Sequence, residues 1–377
     1  MIHKPNDSGT LAEISLTKNF PNSIPKVKSN RAESVVGSKN LLIFADNLVA
    51  MRYLLRNGLE EKINLIYIDP PFLTGAKYYH RKGVRRDLAF QDTWSNQISS
   101  YLRMMYPRLA LMKNLISPEG SIFVHLDWHI AHYIKILIDK IFGIENFRNE
   151  IIVKRGRKKN LQYQFETIDR MHTANDIVLW YSKSSSTKFP KPLIDATLES
   201  KWMSFWSNTE RPTMRYELCS VVPERGQWKW SKDRALRAVQ NFDIFSKENE
   251  GAVSLEDYWR KMGSGMEFIR KREAVKYPEY WIPPKTRKIV DNLWLDIESY
   301  SYSTGFSTEK HNALLERIIG LFSKPNAIVL DVFCGSGTSL VAAEKMGRRW
   351  IGCDSSEIAV NVAKERLGQS KYCFLSL

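Results

Sequence analysis

The chain has 377 residues, 43% of them hydrophobic, enough for one substantial core and an accessory domain. Its formal net charge of +15 suits a polyanionic partner. No apolar run approaches the length of a membrane span. The start, Met1-Ile2-His3-Lys4-Pro5, lacks the apolar core of a signal peptide. Cys219, Cys334, Cys353 and Cys373 show no C-x-x-C spacing, so the expectation is a soluble, cytoplasmic protein with no metal site and no disulfide framework.

Residues 1–38 are polar and read as an arm with little structure of its own. Leu41-Leu42-Ile43-Phe44-Ala45 predicts a strand ending at Asp46-Asn47, and Leu48, Met51, Leu54 and Leu55 then share one face of a helix. Ile63-Asn64-Leu65-Ile66-Tyr67-Ile68 is a buried strand that runs into Asp69-Pro70-Pro71-Phe72. A basic loop with a Gly hinge at Gly75 follows, carrying Lys77, Arg81, Lys82, Arg85 and Arg86. Next come a helix from Ile98 to Met112, a strand from Ser121 to Leu126 and a helix from Ile130 to Ile141. Ile151-Ile152-Val153 and Asp176 to Tyr181 predict an antiparallel pair that closes the sheet. His125 and Asp127 end a strand at the rim and are read as structural.

Periodicity weakens from Ser182 to about Ser299, where seven of the tryptophans lie: Trp202, Trp206, Trp228, Trp230, Trp259, Trp281 and Trp294. Alternation resumes with a helix through Ala313, Leu314, Ile318, Ile319 and Phe322. Ala327-Ile328-Val329-Leu330 is a strand that enters Asp331-Val332-Phe333-Cys334-Gly335-Ser336-Gly337-Thr338. A helix follows over Ser339 to Lys345, and Trp350-Ile351-Gly352-Cys353 is a strand ending in Asp354.

Two of these stretches carry chemistry. At Asp69-Pro70-Pro71-Phe72 the prolines remove two backbone donors, and an ionised carboxylate accepts without donating. Two acceptors beside a flat apolar ring suit a planar group with an exocyclic amine. The second stretch is a strand, Gly-rich turn, helix, strand and acid, the nucleoside-binding half of a doubly wound sheet. Gly335 and Gly337 allow close backbone approach, and Asp354 can take two ribose hydroxyls. The turn is not G-x-G-x-x-G, and Asp331 in front of it would repel a pyrophosphate. A cationic or zwitterionic ligand suits it, which argues against a nicotinamide dehydrogenase.

Together the two motifs resemble the D-P-P-[YF] and F-x-G-x-G motifs of DNA amino-methyltransferases. Their order resembles that of the permuted β-class adenine enzymes, and Ser117 to Asp127 and Phe147 to Ile152 resemble type III modification subunits. The resemblance implies a doubly wound, mostly parallel α/β sheet of the Rossmann-like methyltransferase kind. Residues 39–182 would form its catalytic half, 183–299 an inserted target-recognition region and 300–377 its cofactor half. It implies S-adenosylmethionine as cofactor and methylation of adenine N6 in a flipped-out base of double-stranded DNA. Methylation of cytosine N4, which usually goes with Ser in place of Asp69, and of RNA adenine are the rivals. A non-catalytic DNA-binding subunit is a further one, opposed by the intact Asp69, Gly335 and Gly337.

The same resemblance assigns roles. Asp69 and the Pro70 carbonyl accept from the amine, with Pro71 stiffening the loop and Phe72 stacking on the base. Asp331 faces the cofactor's ammonium. Phe333, Cys334, Gly335, Ser336, Gly337 and Thr338 line its turn, Asp354 holds the ribose and Asp46 lies near its adenine. Thr308 and Lys310 belong to a T-x-K-P element beside the methionine part, with His311 in place of its Pro and Phe306-Ser307 in place of a common His-Pro. Candidate phosphate contacts are Arg155, Arg157, Lys158, Lys159, Arg81, Lys82, Arg270 and Lys271, with Arg287-Lys288 as a further basic pair. A homodimer and a restriction endonuclease subunit are the implied protein partners.

Overall fold

The computed structural model describes residues 40–377 except 73–76, 83–84, 92–97, 157–165, 169–170, 250–251, 302 and 304–307, with backbone alone at 77–82 and 85–91. The N-terminal arm therefore lies outside the described residues. The chain divides into two compact units, one of residues up to Pro190 together with Asp291–Leu377, the other Lys191–Val290. The second unit is narrower at both ends than the 183–299 expected from sequence.

The first unit is built on a nine-stranded sheet. Its strands in chain order are β1 (Asn40–Phe44), β2 (Ile63–Ile68), β3 (Ile116–Leu126), β4 (Phe147–Lys154), β5 (Asn175–Ser182), β6 (Leu293–Glu298), β7 (Ile328–Asp331), β8 (Arg349–Asp354) and β9 (Tyr372–Ser376). They lie in the order β6-β4-β5-β3-β2-β7-β8-β1-β9. Strand β5 runs antiparallel to both of its neighbours, and every other pairing is parallel. The unit's helices are α1 (Asn47–Arg56), α2 (Ile98–Leu115), α3 (Ala131–Phe142), and three nearer the C-terminus, Asn312–Phe322, Thr338–Lys345 and Glu357–Leu367.

The central strands are nearly continuous apolar runs because they are buried on both faces, as parallel strands are when covered by helices. In β2 every residue but Asn64 is buried. Helix α1 starts where Asp46 accepts from the Leu48 backbone N–H at 2.8 Å. Met51, Leu54 and Leu55 then turn inward.

Two local expectations differ from the structure. The sheet does not end at the antiparallel pair of β4 and β5. Strand β6 adds a parallel edge beside β4, with Leu293 opposite Ile152 and Trp294 opposite Val153. Trp294 and Ile297 face inward, but a register shift before Glu298 breaks the period of two that would have revealed a strand. The basic stretch after Phe72 is also not a simple loop. Lys77–Lys82 and Arg85–Gln91 pair as an antiparallel hairpin, in keeping with its β-favouring Tyr78, Tyr79 and Phe90.

The second unit holds helices Lys232–Asn249 and Leu255–Lys261 and short antiparallel pairings. Phe205, Tyr216, Leu218 and Trp228 form one apolar cluster, and Tyr258, Phe268 and Trp281 another. Its tryptophans therefore serve packing in large part. Trp228 is fully buried and donates its indole N–H to the Tyr216 carbonyl at 2.6 Å, satisfying the polar edge of a buried ring.

Candidate active site

The strand register brings the two sequence motifs to one rim. Val329 and Leu330 of β7 pair with Leu65 and Ile66 of β2. Asp331 is thus level with Tyr67, and Asp69 lies two residues beyond on the neighbouring strand. On the other side, Ile68 pairs with Val124 of β3, which sets Asp69 level with His125. Asp354 ends β8, paired with Phe44 of β1, and Asp46 follows two residues on. Four acids stand at the carboxyl ends of parallel strands, the usual ligand crevice of an open α/β sheet.

Asp331 is buried. Its carboxylate accepts from the Ser339 hydroxyl at 2.5 Å and from the Phe333 N–H at 3.0 Å. Burial pushes its pKa up to about 7 against those two hydrogen bonds, with Asp69 and Asp354 adding to the rise. The turn after it needs its glycines. Gly337 has φ +78°, and a Cβ there would come within 2.9 Å of the Ala363 Cβ. The Gly335 N–H donates to Asp354 Oδ2 at 2.9 Å, while Asp354 Oδ1 accepts from the Ser356 N–H at 2.9 Å. Burial raises the Asp354 pKa in spite of these bonds.

Ser336 and Thr338 are held by Arg366, whose guanidinium donates to both hydroxyls and to the Ser336 carbonyl at 2.8–3.0 Å. Cys334 is buried, and Phe333 is partly buried against the core. Asp46 caps α1 and pairs with Arg108 at 2.9 Å. Arg108 and Arg366 went unnoticed in the sequence because each reaches a partner far along the chain.

Around Asp69 lies a polar cluster beneath the loop. Lys310 Nζ is 2.9 Å from Asp69 Oδ1, with the lysine side chain 5% exposed. The ammonium also stands 4.9 Å from the centre of the Phe72 ring and 4.2 Å from that of Tyr300. Burial works against its charge, yet Asp69, with Tyr300 and Asp176, holds its pKa above the ordinary lysine value. Phe72 is 8% exposed, and its ring lies near-parallel to that of His125, 6.3 Å away.

His125 is fully buried between Tyr67, 2.9 Å from Nδ1, and Asp176, 3.3 Å from Nε2. Burial, with Lys310, lowers its pKa and keeps the ring neutral. Burial would raise Asp176, but the hydrogen bond from His125, with Lys310 and Arg155, brings it down to about 2. The carboxylate can then only accept, so Nε2 carries the proton and the Tyr67 hydroxyl donates to Nδ1. Arg155 completes the cluster, with Nε 3.0 Å from Asp176 Oδ1 and its guanidinium 3.7 Å from Asp127.

Arg155, expected on a phosphate track, is thus engaged by buried carboxylates. Arg157, Lys158 and Lys159 lie outside the described residues, and Arg81 and Lys82 are placed by their backbone alone. In the second unit Arg270 pairs with Glu279 at 3.1 Å and lies over Trp202, while Lys271 donates to the Arg272 and Val275 carbonyls. Thr308 is half-buried, and Phe306-Ser307 lie outside the described residues. His311 has φ −72°, where a Pro would sit, and caps the next helix through Nδ1.

Among the described residues no helix is long and apolar enough to cross a membrane. Residues 63–365 match the model of a family described as DNA methylase. Among curated proteins, the chain is 28% identical to the type II methyltransferase M.EcaI of Enterobacter cloacae, over 89% of this chain and 70% of that one. It is 26% identical to the type II methyltransferase M.KpnI of Klebsiella pneumoniae, over 88% and 82%. It is also 26% identical to the Mod subunit of the type III restriction-modification enzyme StyLTI of Salmonella typhimurium, over 84% of this chain but 51% of the subunit. With its sheet order, its two motifs on adjacent strand tips and a family match over most of its length, the chain belongs to the DNA methylase family and is an S-adenosylmethionine-dependent DNA methyltransferase.

Proposed function

We propose that the protein methylates the exocyclic N6 of adenine at a specific sequence in double-stranded DNA, with the target base flipped out of the duplex. The observation that supports this reading is the adjacency of β2 and β7, which brings the strand tips at Asp69 and Asp331 side by side.

The residues present fit S-adenosylmethionine. Asp331 is a buried carboxyl at the tip of β7 whose pKa burial raises, and a cation such as the cofactor's ammonium would favour its ionised form. Gly335 and Gly337 bring backbone close, and Asp354 retains lone pairs for the ribose hydroxyls. When bound, the cofactor supplies an electrophilic methyl group on sulfur.

The chain's own residues act on the other reactant. Asp69 and the Pro70 carbonyl accept the two amine hydrogens. These bonds turn the nitrogen lone pair out of the ring and stabilise its developing positive charge. Phe72 offers an apolar ring. Base–aromatic stacking of about 1–3 kcal/mol offsets part of the few kcal/mol spent on flipping. Adenine is favoured over cytosine because Asp69 stands where cytosine-N4 chemistry usually has Ser. The Lys191–Val290 unit is the proposed target-recognition region. By analogy with the type II relatives, the proposal is a type II or solitary enzyme acting on DNA in the cytoplasm, as a homodimer. Restriction endonuclease partnership is the corresponding proposal from the Mod relative.

Single-molecule sequencing of DNA from cells making the protein, beside an Asp69→Ala control, tests the reading. Methyladenine at one short motif, absent in the control, is the expected result. N4-methylcytosine at the motif would replace adenine by cytosine as substrate. An unmodified genome with methylated RNA would move the substrate class.

A further inference from the structure

The family resemblance puts Lys310 beside the cofactor, but the structure puts its ammonium on Asp69. A short antiparallel pairing delivers it there. The Ser301 N–H donates to the Glu309 carbonyl at 2.9 Å, the His311 N–H donates to the Ser299 carbonyl at 2.9 Å, and Lys310 bridges Tyr300. The lysine stem is buried, and its head meets Asp69 Oδ1, the Phe72 ring and the Tyr300 ring. Two of the four loop residues at Asp69-Pro70-Pro71-Phe72 are therefore held by one cation from a segment more than two hundred residues away.

The surroundings show why a cation is required. Asp69 shares its neighbourhood with Asp331 and Asp176, and Arg155 is paired with Asp176. Among the described residues, Lys310 is the cation that pairs with Asp69. A fixed carboxylate is what an amine acceptor needs, since a swinging one would lose the hydrogen bond that directs the nitrogen lone pair.

We propose that Lys310 is a positioning residue for methyl transfer: its ammonium pins one oxygen of Asp69 and braces Phe72, leaving the second oxygen for the target amine. This rests on the reading of Asp69 as the amine's acceptor. Lys310 then acts through Asp69 and contributes little to holding the cofactor.

The test uses the full chain with Lys310→Met, Lys310→Arg and Asp69→Asn. Cofactor affinity is measured by calorimetry without DNA, and single-turnover methylation of a duplex carrying the target is measured at saturating cofactor. Lys310→Met is expected to bind S-adenosylmethionine within about threefold of the parent while losing about a hundredfold in rate, in the range lost with other groups that orient a reacting one. Lys310→Arg keeps a cation at the site and is expected to recover at least tenfold of that loss. Its comparison with the parent stands even if Lys310→Met fails to fold. Cofactor affinity that falls steeply while the saturated rate is kept, in either variant, would overturn the inference and make Lys310 a cofactor contact. If Asp69→Asn retained full turnover, the reading of Asp69 itself would fail. An inactive Asp69→Asn beside a fully active Lys310→Met would remove the role of Lys310 alone.

Discussion

The Gly335 backbone N–H donates to the Asp354 carboxylate at 2.9 Å. The Gly-rich turn after β7 and the acid at the tip of β8 are thereby one unit, and the acid shapes the turn as well as facing the crevice. Asp354→Ala should weaken S-adenosylmethionine by about tenfold to a hundredfold, since hydrogen bonds to a charged group are worth about 1.5–3 kcal/mol each. The recognition sequence should stay the same. Calorimetry with the cofactor, and sequencing of residual methylation, check both halves. Normal affinity with an altered target motif would contradict the assignment.

Asp331 gives a pH signature. Burial raises its pKa to about 7 in the folded protein from the ordinary carboxylate value of 3.8. In the ligand-free protein the folded state keeps this proton while the unfolded chain loses it, so stability from this group falls as pH rises from about 4 to about 7. Facing an ammonium, the carboxylate is wanted ionised, so cofactor binding expels the proton. Affinity should be about tenfold tighter at pH 8 than at pH 6. Asp331→Asn should melt higher than the parent at pH 8 without ligand and lose this pH dependence of binding. A flat affinity profile in the parent between pH 6 and pH 8 would refute the ammonium's placement.

The parallel strands and their tips were legible because burial on both faces writes continuous apolar runs, and an acid ending such a run stands out. Ile63 to Asp69 and Ala327 to Asp331 are of this kind. The edge strand Leu293–Glu298 was not legible, because its inward residues Trp294 and Ile297 are spaced by three across a register shift. The cluster beneath Asp69 was hidden for another reason. Tyr67, His125, Arg155, Asp176, Tyr300 and Lys310 come from separate segments, and no local spacing joins them. Arg155 in particular sits in a basic run that reads as a phosphate track, yet its guanidinium meets Asp176. The available signal was the polar residue inside an apolar strand: His125 in Phe123-Val124-His125-Leu126 calls for a buried partner.

The histidine itself can be removed. His125→Phe keeps an aromatic ring near Phe72 but leaves the Asp176 carboxylate short of a donor and the Tyr67 hydroxyl short of an acceptor. Loss of a hydrogen bond to a buried charge should cost about 2–4 kcal/mol of stability. His125→Gln, which can still donate to Asp176, should recover part of it. Urea unfolding followed by tryptophan fluorescence measures both. Equal stability of His125→Phe and the parent would show that the cluster is not under strain when opened.

DNA affinity should depend on the exposed basic strand Lys285–Ile289 of the second unit rather than on Arg270. All five residues of that strand are exposed, and Arg287 is held by Asp195 at 3.4 Å with both side chains open to solvent, an ion pair worth little. Arg270 is engaged by Glu279 and Trp202, and Arg272 by the same glutamate. A cation already committed to a carboxylate releases few counterions from DNA. Replacing Lys285, Arg287 and Lys288 together with Gln should lower the slope of log affinity against log salt by about 2–3, at roughly 0.9 for each phosphate no longer neutralised. Arg270→Gln should change it by less than about 0.5. Fluorescence anisotropy of a labelled duplex across a salt series gives both slopes. An unchanged slope in the triple variant would take this strand off the path of the DNA, while the motif methylated in cells would still report whether recognition lies elsewhere in the same unit.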